Sequence, residues 1–355
     1  MKRSPYAARG CGCCFIVPPR ILREYSRRTD VDIGVRTKLQ ETYVETTRLR
    51  LLREATRVGL LSGARSLARA TARAHTPEQQ LFDCRHIQSL PGQPIANPAS
   101  SGDAAIKTVY AVTDKVAEFY QKVLSRNSID DRGMNLVSSL HYRDHFDNAF
   151  WNGQQMVYGD GDGELFTEFY NSPDVIGHEL THGVTQYESG LRYEGESGAL
   201  NESISDVFGA AFHQWVDGWP ADNAAGWLIG AGIMGPKATT AGKTCLRDML
   251  TPDANHCLSP QPASYANFDP TADVHDNSGI PNKAFALFAQ AVGGNAWERA
   301  LKVWYAACTG NLSSSATFVE FATSTVAAAR REGGDDLAKQ AAQAWEHVEL
   351  PLPVA

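Results

Sequence analysis

The segment that most restricts this chain is Ser172-Pro-Asp-Val-Ile-Gly-His178-Glu179-Leu-Thr-His182. Ser172 suits a helix N-cap, Pro173 the first helical position, and Asp174 the positive end of the helix dipole. A helix starting there carries His178 and His182 four residues apart, with both rings on one face. That spacing lets two imidazole nitrogens reach one tetrahedral ion, while Glu179 stands beside an open coordination position. The bland alternative is a surface helix that carries two histidines by chance, and a third ligand weighs against it. Asn201-Glu202-Ser-Ile-Ser-Asp206 begins 19 residues beyond His182 and places Glu202 and Asp206 on one face of a second helical stretch. Glu202 completes a set of two histidines and one glutamate. Asp206 can accept the spare N–H of a metal-bound histidine, which fixes its tautomer and ring angle. One Zn2+ is therefore expected.

Around this centre the composition is globular. At 355 residues, 43% hydrophobic and 21% charged, the chain can form two or three compact units. No apolar run approaches the ~20 residues that span a bilayer. The formal charge of −7 is divided: residues 1–75 carry 16 Lys+Arg against 6 Asp+Glu, and the remainder 17 against 34. A basic arm on an acidic body suits either a nucleic-acid tail or a segment that docks on its own chain. Leu49-Arg-Leu-Leu-Arg and Leu67-Ala-Arg-Ala interleave leucine with arginine as an amphipathic helix does. Near the start, Cys13 to Val17 is too short for a signal-peptide core and runs into Pro18-Pro19. The expectation is a cytoplasmic protein, or one exported without a conventional signal peptide. Seven cysteines read as reduced thiols, although Cys245 and Cys257 flank a short loop and could pair in an oxidising space. Cys11, Cys13 and Cys14 form only a weak metal motif.

Along the chain, residues 1–30 show no periodicity. A helical pattern runs from about Thr37 to Ala74, with breaks expected at Gly59 and Gly63. Another covers about 103–124. From Met134 to Phe169 the texture is β, with a tight hairpin expected at Gly159-Asp-Gly-Asp-Gly163. After 173 the chain reads as helices joined by loops, the longest being about 217–280. Four helices close it, near 281–292, 295–308, 314–331 and 335–347.

The metal-binding helix followed by Gly198-Ala-Leu-Asn-Glu-Ser-Ile-Ser-Asp206 resembles the thermolysin (gluzincin) metallopeptidases. Asn148-Ala-Phe-Trp-Asn-Gly and Tyr158-Gly-Asp-Gly-Asp-Gly resemble that family's substrate-binding edge strand. Tyr193, Leu246-Arg247 and Val274-His275-Asp-Asn-Ser-Gly fall where it places its remaining catalytic residues. The likeness covers about 80–355. It implies an α+β, two-lobed fold: a β-rich catalytic lobe over 76–190 carrying the metal helix, and a helical lobe over 191–355. Phe15-Ile-Val-Pro-Pro-Arg-Ile-Leu-Arg23 resembles the short propeptide of the protealysin-like branch, so residues 1–75 are expected to act as a propeptide.

The activity implied is that of a neutral zinc endopeptidase made as a latent precursor, cutting peptides or proteins before bulky apolar residues. Glu179 would take a proton from water activated by zinc, and Tyr193 and His275 would stabilise the oxyanion. Asn148 and the Ala149 backbone would hold the substrate main chain, and Arg247 the carbonyl of the residue following the cut. Phe166, Phe169, Val175, Ile229, Ile233 and Leu246 would line the specificity pocket. A monomer is expected, with a dedicated protein inhibitor as a further partner and neither nucleic acid nor membrane. The alternative class is a non-catalytic binding scaffold, and retention of Glu179 and Glu202 argues against it. Two departures stand out. Pro270 replaces the acidic residue expected five before His275, leaving Asp269 or Asp273 to orient the ring. Of the double-calcium ligands only Asp174 remains, with His213, Gly226, Leu228 and Ala231 at the other positions, so that site is expected to be absent. The glycine–aspartate run at 159–163 resembles a calcium loop, but a tight hairpin is the preferred reading.

Overall fold

The computed structural model describes residues 14–63 and 76–352, with the backbone alone for 53–63. The helical pattern expected over 64–74, together with Cys11 and Cys13, lies outside the described residues. The N-terminal segment forms strand β1 (Cys14–Phe15), helix α1 (Pro19–Arg27) and helix α2 (Ile33–Gly63). Helix α1 is not legible in the sequence because nine residues hold too little periodicity. Its signals are local: Pro19 opens it, and Ile21, Leu22 and Tyr25 form its buried stripe. Helix α2 runs on through Gly59, contrary to expectation. A single glycine costs about 1 kcal/mol against alanine inside a helix, which a helix this long absorbs.

Next come β2 (Gln79–Asp83), β3 (Gln93–Pro94), α3 (Ala104–Leu124), β4 (Leu136–Leu140), β5 (Ala149–Trp151) and β6 (Met156–Tyr158). With β1 these strands make one sheet in the order β1-β5-β6-β4-β2-β3. Strands β2, β4 and β6 are mutually parallel neighbours, and the other pairs are antiparallel. Because strand side chains alternate, Ala149, Trp151, Met156 and Tyr158 enter the main core. Phe150 and Val157 face a smaller cluster with Phe15, Tyr142 and Phe146. The N-terminal strand thus completes the edge of the sheet, with Cys14 opposite Trp151 and Phe15 opposite Phe150.

The run at 159–163 is not the expected hairpin. After β6 the run still donates to the segment leading into β5, from Gly159 N–H to the Asn148 carbonyl at 3.0 Å and from Gly161 N–H to the Phe146 carbonyl at 3.2 Å, and beyond the turn Phe166 bridges to Met234. Asp162 holds this turn by accepting from the backbone N–H groups of Glu164, Leu165 and Phe166 at 2.8–3.2 Å. Gly161 takes φ +71°, where a Cβ would lie 2.5 Å from the Thr167 carbonyl oxygen.

The rest is mainly helical: α4 (Pro173–Tyr187), α5 (Gly195–Asp217), α6 (Pro236–Thr240), α7 (Val274–Asn277), α8 (Gly279–Val292), α9 (Arg299–Thr309) and α10 (Phe318–His347). The two-residue strands β7 (Leu228–Ile229) and β8 (Arg247–Asp248) pair within the stretch expected to be one long loop. Elements this short carry no readable period. Helix α10 spans both predicted final helices, and its backbone leaves helical geometry at Gly333 and Gly334, where the sequence placed the gap. Trp304, Trp345 and Phe321 pack its inner face.

Helices α4 and α5 approach closely enough to share one site because small residues face each other. A Cβ on Gly209 would meet the Asp174 carbonyl oxygen at 2.5 Å and the His178 nitrogen at 3.1 Å. Gly209→Ala should therefore force the helices apart, costing about 1–3 kcal/mol by overpacking and lowering both the thermal midpoint and the retained metal. An unchanged midpoint with full metal content would show that this contact is not limiting.

Candidate active site

Helix α4 starts where the sequence placed it, but Ser172 does not cap it with its side chain. Its hydroxyl instead donates to Asp174 Oδ1 at 2.5 Å. Asp174 also accepts from the Gly230 N–H at 2.6 Å and lies 3.5 Å from His213 Nδ1. His213, at one of the positions implied for a calcium ligand, thus faces the remaining carboxylate.

One turn into α4, His178 and His182 face Glu202 on α5, all three buried. The His178 and His182 Nε2 atoms are 3.0 Å apart, and each lies 3.5–3.6 Å from a Glu202 carboxylate oxygen. Ligands around a tetrahedral ion with bonds of ~2.0–2.1 Å stand about 3.3 Å from one another, so the spacing fits a metal. The hydrogen bonds fit it too. His178 Nδ1 faces Asp206 Oδ1 at 2.8 Å, and His182 Nδ1 faces Asn201 Oδ1 at 2.8 Å, with the Ser205 hydroxyl at 3.0 Å. Both acceptor oxygens call for Nδ1–H donors, which turns the Nε2 lone pairs toward each other. Glu202 Oε2 is buried without a hydrogen bond. A single proton can bridge only one pair in this group, whereas a divalent ion satisfies all three residues.

The electrostatics carry the same demand for positive charge. Burial pulls the His178 imidazole down, but Asp206 and Glu202 outweigh it and push its pKa up to about 9. Burial pushes Glu202 up, yet His275, His182 and His178 hold it below the usual carboxylate range. Asp206 is likewise held low, against burial, by Arg247 and His178. Glu179 is the exception: burial, reinforced by the charge of Glu202, raises it well above the ordinary value. Its Oε2 accepts from the Trp151 N–H at 2.9 Å, and its Oε1 has no hydrogen-bond partner.

Tyr193 and His275 close the other side. The Tyr193 hydroxyl donates to Glu202 and lies 3.3 Å from His275 Nε2. Between the two candidate orienting acids the structure selects Asp273, whose Oδ1 is 2.5 Å from His275 Nδ1 and also caps α7. Asp269 turns to Thr271 instead. Arg247 grips Asp206 through two bonds of 2.7 and 2.9 Å, and Asn282 donates to the same carboxylate at 2.8 Å. Sequence reasoning missed Asn201, Ser205, Asn282 and the Trp151 N–H. Asn201 and Ser205 lie in the same run as Glu202, which was a usable signal. Asn282 sits on α8 with none.

The predicted substrate-holding groups are all engaged by the chain's own N-terminal strand. Ile16 N–H donates to the Ala149 carbonyl at 3.2 Å. Asn148 accepts from the Val17 N–H at 3.0 Å and donates to the Val17 carbonyl at 3.1 Å. Arg247 donates to the Ile16 carbonyl at 2.9 Å, and His275 Nε2 to the Phe15 carbonyl at 2.6 Å. Phe166, Phe169, Val175, Ile229, Ile233 and Leu246 are all fully buried in the cluster that includes Ile16. Basic side chains of this segment meet body carboxylates: Arg20 with Asp276 at 2.6 Å and Arg50 with Asp273 at 2.7 Å.

Two histidines on one helix and a glutamate on the next are placed so that they could hold one metal ion. Residues 68–186 match the thermolysin metallopeptidase catalytic domain, and residues 189–350 match the thermolysin metallopeptidase alpha-helical domain. An extracellular metalloprotease of Pectobacterium carotovorum is 40% identical over 76% of this chain and 80% of its own length. The protease PrtS of Photorhabdus is 38% identical over 78% and 77%. Among solved structures, the precursor of protealysin, a metalloproteinase from Serratia proteamaculans, superposes with a TM-score of 0.81 at 35% identity, covering 95% of this chain and all of that one. The chain belongs to the thermolysin metallopeptidase family, which is zinc-dependent, and His178, His182 and Glu202 form its possible metal site. The expected cytoplasmic localisation is corrected by these findings, since the Pectobacterium relative is named as extracellular. A start without a recognisable signal-peptide pattern carries no address of its own. No described helix is long and apolar enough to cross a membrane.

Asn201→Ala would free the His182 ring to rotate. Loss of such an orienting partner typically costs about 10–100-fold in metal affinity. Zinc release to a competing chelator should accelerate accordingly, and affinity equal to wild type would mean that Ser205 alone orients the ring.

Proposed function

We propose that this metalloprotease is a latent endopeptidase whose first strand occupies its own substrate cleft. The observation that carries the reading is the set of bonds from residues 15–17 to Ala149, Asn148, Arg247 and His275. Ala149, Asn148 and Arg247 are the groups expected from sequence to hold a substrate, and His275 is one of the two expected to stabilise the oxyanion. If Arg247 holds the carbonyl of the residue following the cut, Ile16 stands in that place, and an apolar side chain before which cutting occurs is the expected preference. Pro18 and Pro19 come directly after, stiffening the segment where it leaves the strand.

In this reading His178, His182 and Glu202 would hold Zn2+, which when bound lowers the pKa of a water molecule and polarises the peptide carbonyl. Glu179 accepts the proton from water and delivers it to the leaving nitrogen. Its burial supports that role, because a carboxylate with raised proton affinity is a better base. Tyr193 and His275 donate to the carbonyl oxygen as it gains charge. Asp273 steadies His275, and Asp206 ties His178 to Arg247, so metal and substrate groups share one anchor. Asp174 is satisfied by Ser172, Gly230 and His213, which supports a fold that does without the double-calcium site.

The test is cleavage of a quenched peptide bearing Gly-Leu, followed together with the intact mass of the chain. Activity should be low in the full chain, rise as the N-terminal segment is lost, and vanish with a zinc chelator. Glu179→Ala should lower the rate by about 10²–10⁴-fold, the usual worth of a general base. A zinc-loaded chain without that segment that cuts nothing would overturn the reading, as would a Glu179→Ala protein of normal rate.

A further inference from the structure

Parallel neighbours β2, β4 and β6 end at the same side of the sheet. Just beyond their carboxyl ends stand His86, His141 and Asp160, one from each connection, and none of them takes part in the site above. We propose that these three residues form a separate divalent-metal site for a borderline ion such as Zn2+.

The geometry is that of a ligand set held together by protons. His141 Nδ1 is 2.9 and 3.0 Å from the two Asp160 oxygens, and His86 Nδ1 is 3.3 Å from Asp160 Oδ2. The potential ligand atoms all lie within 4.8 Å of one another. Ligands of a tetrahedral ion with ~2.0–2.1 Å bonds are about 3.3 Å apart, so an ion can replace the shared protons with small side-chain movements. The surroundings favour a cation. Asp83, Asp103 and Glu168 line the same open pocket, with Arg85 as its one basic partner among the lining residues.

A second observation concerns His141 itself. Its Nε2 is buried and makes no hydrogen bond, although an oxygen of Asp103 lies 3.3 Å away. The ring therefore offers a nitrogen on each side, one toward Asp160 and one toward Asp103, and coordination through either leaves a carboxylate to bind the other. That is the carboxylate–histidine arrangement found around protein-bound zinc. Two imidazoles also decide between ions. Calcium and magnesium prefer oxygen ligands, whereas nitrogen with carboxylate suits zinc, nickel or copper. The glycine–aspartate run at 159–163 thus divides its work. Asp162 holds the turn by accepting backbone N–H groups, and Asp160 is turned into the histidine pair.

The experiment measures zinc per chain by mass spectrometry of the metal after dialysis of the full chain at controlled micromolar free zinc. Wild type is compared with His86→Asn and Asp160→Asn. Asparagine tolerates the positive φ of 58° at His86. Two ions per chain in wild type and one in each variant is the expected result. Loading with Co2+ should give a visible absorption component that both variants lack. Variants that melt like wild type and keep peptide cleavage exclude a folding defect as the cause of the loss. One ion per chain in wild type, or two in all three proteins, would overturn the proposal and leave the cluster as an ion pair within the fold.

Discussion

Two imidazole nitrogens held 3.0 Å apart, with a buried carboxylate beside them, are an arrangement that a protein interior does not tolerate unless positive charge stands between them. Everything around the centre serves to keep that arrangement in place. Asp206 and Asn201 fix the two rings from behind, and Arg247 and Asn282 fix Asp206. Glycines between α4 and α5 allow the helices to approach closely enough for Glu202 to face the histidines. Removing a member of such a buried network leaves a polar group unsatisfied, so these residues are more interdependent than a list of ligands suggests. The shifts of Glu179 and Glu202 are opposed for different reasons: burial raises Glu179, whereas the surrounding imidazoles hold Glu202 low against its own burial.

The N-terminal strand depends on the same geometry from the other side. Strand β5 lies on the sheet next to β6, and its outer edge offers backbone groups that some extended segment must pair with. Strand β1 takes that edge, and its short length is compensated by the bonds from Asn148, Arg247 and His275. Beyond the cleft, α1 and α2 anchor the segment. Arg20 and Arg50 neutralise carboxylates beside His275, and Glu45 receives Gln88 and Tyr142 from the body at 2.8 and 3.1 Å. The charge division read from the sequence thus becomes a set of individual pairs. It works in both directions, because this segment also contributes an acid to a basic partner, Arg143, at 3.5 Å.

How much of this was legible in the sequence depends on which interactions are local. His178, Glu179 and His182 were readable because helix geometry alone puts them on one turn. Glu202 and Asp206 were readable because the same rule fixes their mutual spacing. Asp273 could be narrowed only to one of two acids, since the choice depends on how a loop turns. Asn282 was invisible, because it reaches Asp206 from an element 76 residues away. The helical stretches after residue 280 came from their apolar periods, and the Gly333–Gly334 break from its glycines. Strands β7 and β8, two residues each, have no period to read. The run at 159–163 reads as a hairpin because its sequence specifies a turn, but nothing in it specifies where the residues after the turn find their partner. Phe15 to Val17 stands out as an apolar run, but its partner is a sheet edge formed more than 130 residues later.

The central claim is that the buried group of His178, His182 and Glu202 is held together by a metal ion. Anomalous diffraction at the zinc absorption edge, from crystals of the full chain, tests it at the atoms concerned. A zinc peak about 2.0–2.1 Å from both Nε2 atoms and within bonding distance of the Glu202 carboxylate is the predicted result. A zinc-replete crystal with no peak between those three side chains would contradict the account.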